Sequence, residues 1–89
     1  MAQAYSKNFS QVEYDASLGK DRATFEIVFT GPEIPSGYDV AYGEVLFDPG
    51  DPVSQMRSKV TQVILLEASV RGYVVAKQDM AIPVLQQGV

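Results

Sequence analysis

Between Asp51 and Gly72 the chain reads as one amphipathic helix with both ends marked. Asp51 suits the N-cap, where a carboxylate accepts from the orphan amides of the first turn. Pro52 suits the first helical position, because the N–H it lacks has no partner there anyway. Gly72 can take the left-handed conformation that closes a helix, and Arg71 sits where the dipole favours a cation. A helix of about 20 residues is roughly 30 Å long, enough to cross a small sheet. At about 100° per residue, Val53, Met56, Val60, Val63, Ile64, Ala68 and Val70 fall on one broad stripe. Ser54, Gln55, Ser58, Thr61, Gln62 and Ser69 fall opposite. Leu65 breaks the pattern by projecting from the polar side. It reads either as a lone exposed leucine or as a contact with another subunit. Glu67 falls inside the stripe and is placed to pair with Arg71 one turn later. A catalytic or switching role for that carboxylate is the lesser reading.

The remaining segments supply the layer this helix covers. Residues 3–14 are polar with scattered aromatics. Tyr5, Lys7 and Phe9 alternate with Ser6, Asn8 and Ser10, which suits an extended edge strand or arm. A short helix after Ser10, with Glu13 completing a capping box, is the alternative. A turn cluster with Gly19 spans residues 15–22. The clearest strand then covers 23–30, with Phe25, Ile27 and Phe29 on one face and Thr24, Glu26 and Thr30 on the other. Two prolines and two glycines make residues 31–37 a loop. A second strand covers 38–47, with Val45 and Phe47 on one face and Tyr42 and Glu44 on the other. Gly43 in its middle signals a bulge or a close backbone approach. After the helix, residues 73–77 form a short apolar strand. The tail has Met80, Ile82, Val84 and Leu85 around Pro83, which confines it to an edge or an arm.

The simplest architecture for this order is α+β: a small two-layer sandwich of a three- to four-stranded, largely antiparallel sheet with one amphipathic helix on one face, in the order β-β-β-α-β. The strand after the helix has two open placements, antiparallel or parallel through a crossover. Residues 1–89 read as a single domain, with 1–10 and 78–89 as extended arms.

Composition narrows the chemistry. The chain has no cysteine and no histidine, so disulfides, thiolate catalysis, the commonest general base and the usual zinc ligands are missing. No GxGxxG or GxxxxGK[ST] run occurs, and no cofactor is expected. Asp48 and Asp51 flank a Pro-Gly turn and could hold calcium weakly, but a calcium loop needs several more oxygens at fixed spacing. Turn and cap roles fit them better. The N-terminus lacks an apolar core and no stretch nears the roughly 18 apolar residues of a membrane span. A cytoplasmic or virion protein, not secreted by a signal peptide and not membrane-bound, is expected. Net charge is −4, with every charged residue from 23 to 56 acidic. A sheet built from that segment repels phosphate, so nucleic acid is not an expected partner.

These features point to a non-enzymatic structural or assembly protein acting through contacts between copies, with a phage tail or capsid component as the analogy. The expected contact residues are Asp39, Glu44 and Asp48 against Arg57 and Lys59 of a neighbour, together with Leu65 and the apolar Ile82, Val84 and Leu85. The alternative is an acidic protein-binding module, an inhibitor or regulator that presents residues 31–51 to a basic partner.

Overall fold

The computed structural model describes residues 2–81, the side chains of 77–81 excepted. Strand β1 covers Ala2–Lys7, β2 Glu13–Asp15, β3 Lys20–Thr30 and β4 Tyr38–Phe47; helix α1 covers Val53–Arg71 and β5 Val75–Ala81. The long strand β3 is the spine of the sheet. On one side it pairs antiparallel with β4, from Asp21 opposite Phe47 to Thr30 opposite Tyr38, without a break. Its other side is shared by β2, against Lys20–Arg22, and β1, against Glu26–Thr30. Beyond β1 lies β5, parallel to it. Following the strand directions, β4 and β5 run the same way with β3 and β1 between them. Parallel strands cannot be joined by a hairpin, and α1 supplies the crossover. The expected two-layer α+β architecture is present, but the sheet is mixed and has five strands instead of three or four, with four of them before the helix. The open question about the last strand resolves to the parallel placement.

One face of the sheet and one line of the helix make the core. Phe25, Ile27 and Phe29 of β3 and Ala41, Val45 and Phe47 of β4 pack against Val60, Ile64 and Ala68 of α1. For β3 this is the face its sequence periodicity predicts. Gly43 is a close approach and not a bulge. A Cβ there would lie 2.8 Å from Cζ of Phe25 and 3.1 Å from Cγ1 of Val63.

Several expectations need correction. The N-terminal segment is no arm, because β1 pairs on both sides and buries Ala2, Ala4 and Ser6. Side chains that small carry little hydrophobic signal, yet they suit a strand pressed between neighbours. The expected alternation also slips after Lys7. Lys7 pairs with Glu26, while Ser10 hydrogen-bonds Thr24, so one extra residue is inserted. Asn8 absorbs it with a φ of 54°, and its side-chain amide donates to the Glu26 carboxylate. The slip turns Phe9 inward to stack on Phe25, with ring centroids 4.8 Å apart and 15° between planes. Residues 13–15, read as the end of an extended segment or a short helix running into a turn, pair as β2. β3 begins at Lys20, inside the expected turn, and β5 begins two residues later than expected and runs on to Ala81. Of the expected C-terminal arm, 78–81 belong to β5; Ile82, Val84 and Leu85 lie outside the described residues.

The helix differs at its start and on its outer side. Pro52, in extended conformation, occupies the N-cap, and no side chain caps the first turn. The Asp51 carboxylate instead accepts the Asp48 amide at 2.9 Å, closing the turn before the helix. The C-terminal end forms as read. Gly72, at φ 80°, donates to the Ser69 carbonyl and Tyr73 to that of Ala68, the Schellman pattern. Val70, expected in the buried stripe, is 75% exposed. The buried line runs Val60, Ile64, Ala68 at intervals of four, and Val70 falls off its side. Leu65 is half-buried. The exposed leucine is Leu66, about 200° round the helix from Ile64.

The left-handed backbone at Asn8 makes a direct test. Asn8→Gly should leave urea-unfolding stability within about 1 kcal/mol, whereas Asn8→Val should lower it by roughly 1–2 kcal/mol, because a β-branched side chain resists that conformation. Equal stabilities would show that the inserted residue does not depend on a left-handed position.

Candidate interaction surfaces

Of the charged residues expected to reach a neighbour, Asp39, Glu44, Asp48 and Lys59 are gathered into in-chain clusters. At the start of β4, Asp39 accepts from Arg71 Nη1 and from the Tyr73 hydroxyl, each at 2.7 Å. Arg71 Nε also donates to Glu67 at 2.9 Å, the pairing its spacing predicts. Hydrogen bonding from Tyr73, then from Arg71, holds the Asp39 carboxyl below the usual aspartate range. The same bond pushes the Tyr73 hydroxyl up. The Tyr73 ring meets Phe29 edge-on at 5.3 Å, so the cluster rests on the core. It pins the last turn of α1 to the beginning of β4.

A second cluster pins the other end. Asp48 accepts from Lys20 and, at 3.2 Å, from Lys59, whose ammonium also reaches Asp51 at 2.5 Å. Lys20, then Lys59, draws the Asp48 carboxyl down, while Asp51 is the main cause of the raised Lys59 value. Asp48 and Lys59, expected to meet across two copies, meet within one. An ammonium thus sits against the two aspartates considered for calcium. Among the described residues no group of three or more histidine, cysteine or carboxylate side chains is placed to hold a metal. In a third cluster Arg22 pairs with Asp15 at 2.6 Å and lies 3.6 Å from Glu44. Asp15 is drawn down chiefly by the Ser17 hydroxyl. Arg57, the other expected contact, is half-buried on the first half of α1, and its carbonyl accepts from Thr61.

Several large apolar and aromatic side chains are also exposed. On the helix side Leu66 and Val70, one turn apart, are exposed, and Val74 follows just past the helix. The uncovered face of the sheet carries Tyr38, Tyr42 and Leu46 from β4 and Tyr5 from β1. In register across that face, Val28 lies between Tyr5 and Val40 and is buried by its strand neighbours. Beside Tyr42 an open depression of about 500 Å³ is lined by Asn8, Thr24, Glu26 and Glu44, with Phe25 and Gly43. It offers carboxylates and a ring face, and Glu26 already accepts from Asn8. Sequence reasoning missed this set, although the even-numbered residues Tyr38, Val40, Tyr42 and Leu46 spell an apolar alternation on the wet side of β4.

Together these features define a two-layer α+β protein whose charges are largely paired within the chain and whose two outer faces both show apolar side chains. No protein-family model, curated protein sequence or solved structure matches the chain. No helix among the described residues is long and apolar enough to cross a membrane.

The paired aspartates set an acid dependence. A carboxyl with a lowered folded-state pKa contributes stability above the ordinary value of about 3.9 and loses it as pH falls through the folded value. Asp15, Asp39 and Asp48 are all of this kind. The melting temperature should therefore be level from pH 7 to about 5 and drop below about pH 4, with Asp39→Asn flattening part of that drop. Tyr73 has the opposite sign: its contribution is whole below about pH 10 and lost above. An acid limb unchanged in Asp39→Asn, followed by circular dichroism, would remove Asp39 from this account.

Proposed function

We propose that the chain is a non-enzymatic structural protein that assembles through contacts between copies of itself, as a small component of a larger particle such as a phage tail or capsid. The observation that carries this reading is the pair of exposed apolar groups on opposite outer faces, Leu66 with Val70 on the helix and Tyr38 with Tyr42 on the sheet. Single exposed apolar residues are ordinary. Two such groups back to back suit a subunit with neighbours on both sides. The sequence Ile82-Pro-Val-Leu85 adds a third apolar element near the C-terminal end. In this reading the contacts shift from the charge pairs first expected to Leu66, Val70 and the β4 tyrosines. The virion setting is analogy from size and shape of subunit alone.

A protein-binding module for a basic partner is the second reading. Its support is the depression beside Tyr42 with Glu26 and Glu44. It ranks lower because Asp39, Glu44 and Asp48 already have cationic neighbours in the chain.

Light scattering and sedimentation across a concentration series test the proposal. The full chain should exceed its 9.7 kDa monomer mass, and Leu66→Lys combined with Val70→Lys should reduce the assembled fraction. A chain ending at Ala81 should assemble more weakly if the tail contributes. A monomer at every concentration, in the full chain and the shortened one alike, would remove the assembly reading.

A further inference from the structure

We propose that the free edge of β4 is a pairing edge, and that its occupant is the same edge of a second copy, related by a twofold axis through Tyr42. This rests on the assembly reading above and names its surface.

The backbone of β4 settles which groups face outward. Ser10 uses both polar backbone groups of Thr24, donating its amide to the Thr24 carbonyl at 2.8 Å and accepting the Thr24 amide on its hydroxyl at 2.9 Å. Those groups of Thr24 therefore point away from β4. In an antiparallel ladder that makes Thr24 and its partner Glu44 a pair without mutual hydrogen bonds. The amide and carbonyl of Glu44 then face the open side. Strand alternation gives Tyr38, Val40, Tyr42 and Leu46 the same direction. The Ser36 hydroxyl, donating to the Tyr38 carbonyl at 2.9 Å, agrees. From Val40 to Leu46 the strand thus presents a row of backbone donors and acceptors with no strand partner among the described residues.

Proteins usually guard such an edge with lysine, proline, a bulge or a short strand. β4 has none of these: it is ten residues long, contains no lysine or proline and holds its register throughout. The other edge differs. β5 contains Lys77, and its pairing with β1 shifts register between Ala2 and Ala4. Charge on β4 is limited to Asp39 and Glu44, which lie against Arg71 and Arg22.

In one register β4 can pair with its own reverse without a clash of charge. With Tyr42 on the axis, Val40 faces Glu44 of the other copy and Tyr38 faces its Leu46. On the helix face Ala41 meets Gly43 and Asp39 meets Val45. No carboxylate opposes a carboxylate, and the exposed tyrosines become cross-strand neighbours. An axis through Glu44 would set that carboxylate against itself. The Tyr42 register also lines up the outward-facing groups of both strands, so the two sheets continue into one with both helices on the same side.

The absence of native cysteine allows a clean test. Tyr42→Cys brings two sulfurs together at the axis, where paired Cα atoms lie about 5.5 Å apart, within disulfide range. Under mild oxidation most of that variant should run as a covalent dimer, while Glu44→Cys should stay reduced. Tyr42→Pro removes an amide that the β3–β4 ladder does not use. It should keep the native circular dichroism spectrum and reduce the solution mass of the basic pairing unit by half. If the unmodified chain is oligomeric but Tyr42→Cys does not cross-link, the edge proposal falls and the assembly reading stands. If the unmodified chain is monomeric throughout, both fall.

Discussion

The packing of Val60, Ile64 and Ala68 against the β3–β4 face is the contact on which the other features depend. It buries Ile64 and Val60 completely and leaves the opposite sheet face uncovered by any described residue. A helix seated there has to return the chain toward the start of β4 before another strand can form. That return makes the connection a crossover and sends β5 past β3 and β1 to the far side of the sheet. Among the described residues β4 is thereby left outermost. The approach is close where Gly43 lies beneath Phe25 and Val63, since even a methyl group would press on both. Burying apolar surface drives the seat, and interior packing density makes it specific.

The ionic clusters act on that seat from its ends. Arg71 and Tyr73 converge on Asp39 at one end of the helix, and Lys59 reaches Asp48 and Asp51 at the other. Exposed pairs of this kind contribute little free energy singly and are screened by salt. Their placement nevertheless fixes how far the helix can slide along the sheet. It also uses charges that the sequence alone would assign to neighbours. The proposed association therefore draws on apolar side chains and strand backbone, and its dependence on salt should be shallow.

Much of this fold was legible from local pattern. The alternation of Phe25, Ile27 and Phe29 named the core face of β3, and Gly72 with Arg71 named the helix end. The Glu67–Arg71 pair follows from spacing on one helix. Other features were hidden for identifiable reasons. Ala2, Ala4 and Ser6 are too small to mark a buried strand, and the inserted residue at Asn8 reverses the side on which Phe9 lies. Leu65 and Leu66 are adjacent, so a modest error in the centre of the buried stripe exchanges which one faces water. The candidate surface on β4 was written in Tyr38, Val40, Tyr42 and Leu46, but an apolar alternation cannot by itself say which face another element covers.

What the sequence by itself determined is whatever repeats within a few residues: where the helix and the two long strands lie, where they stop, and which side of β3 faces the core. Those follow from the 3.6 and 2 residue periods and from the backbone demands of glycine and proline. Only the tertiary structure decided that β1 is an inner strand, that β5 runs parallel to it, that Asp48 belongs to Lys59 of its own chain, and that β4 is the outermost strand among the described residues. Each of those is a pairing between residues far apart in sequence. Such pairings are set by competition among whole-chain arrangements, in which one packed layer excludes the alternatives that local preference leaves equal.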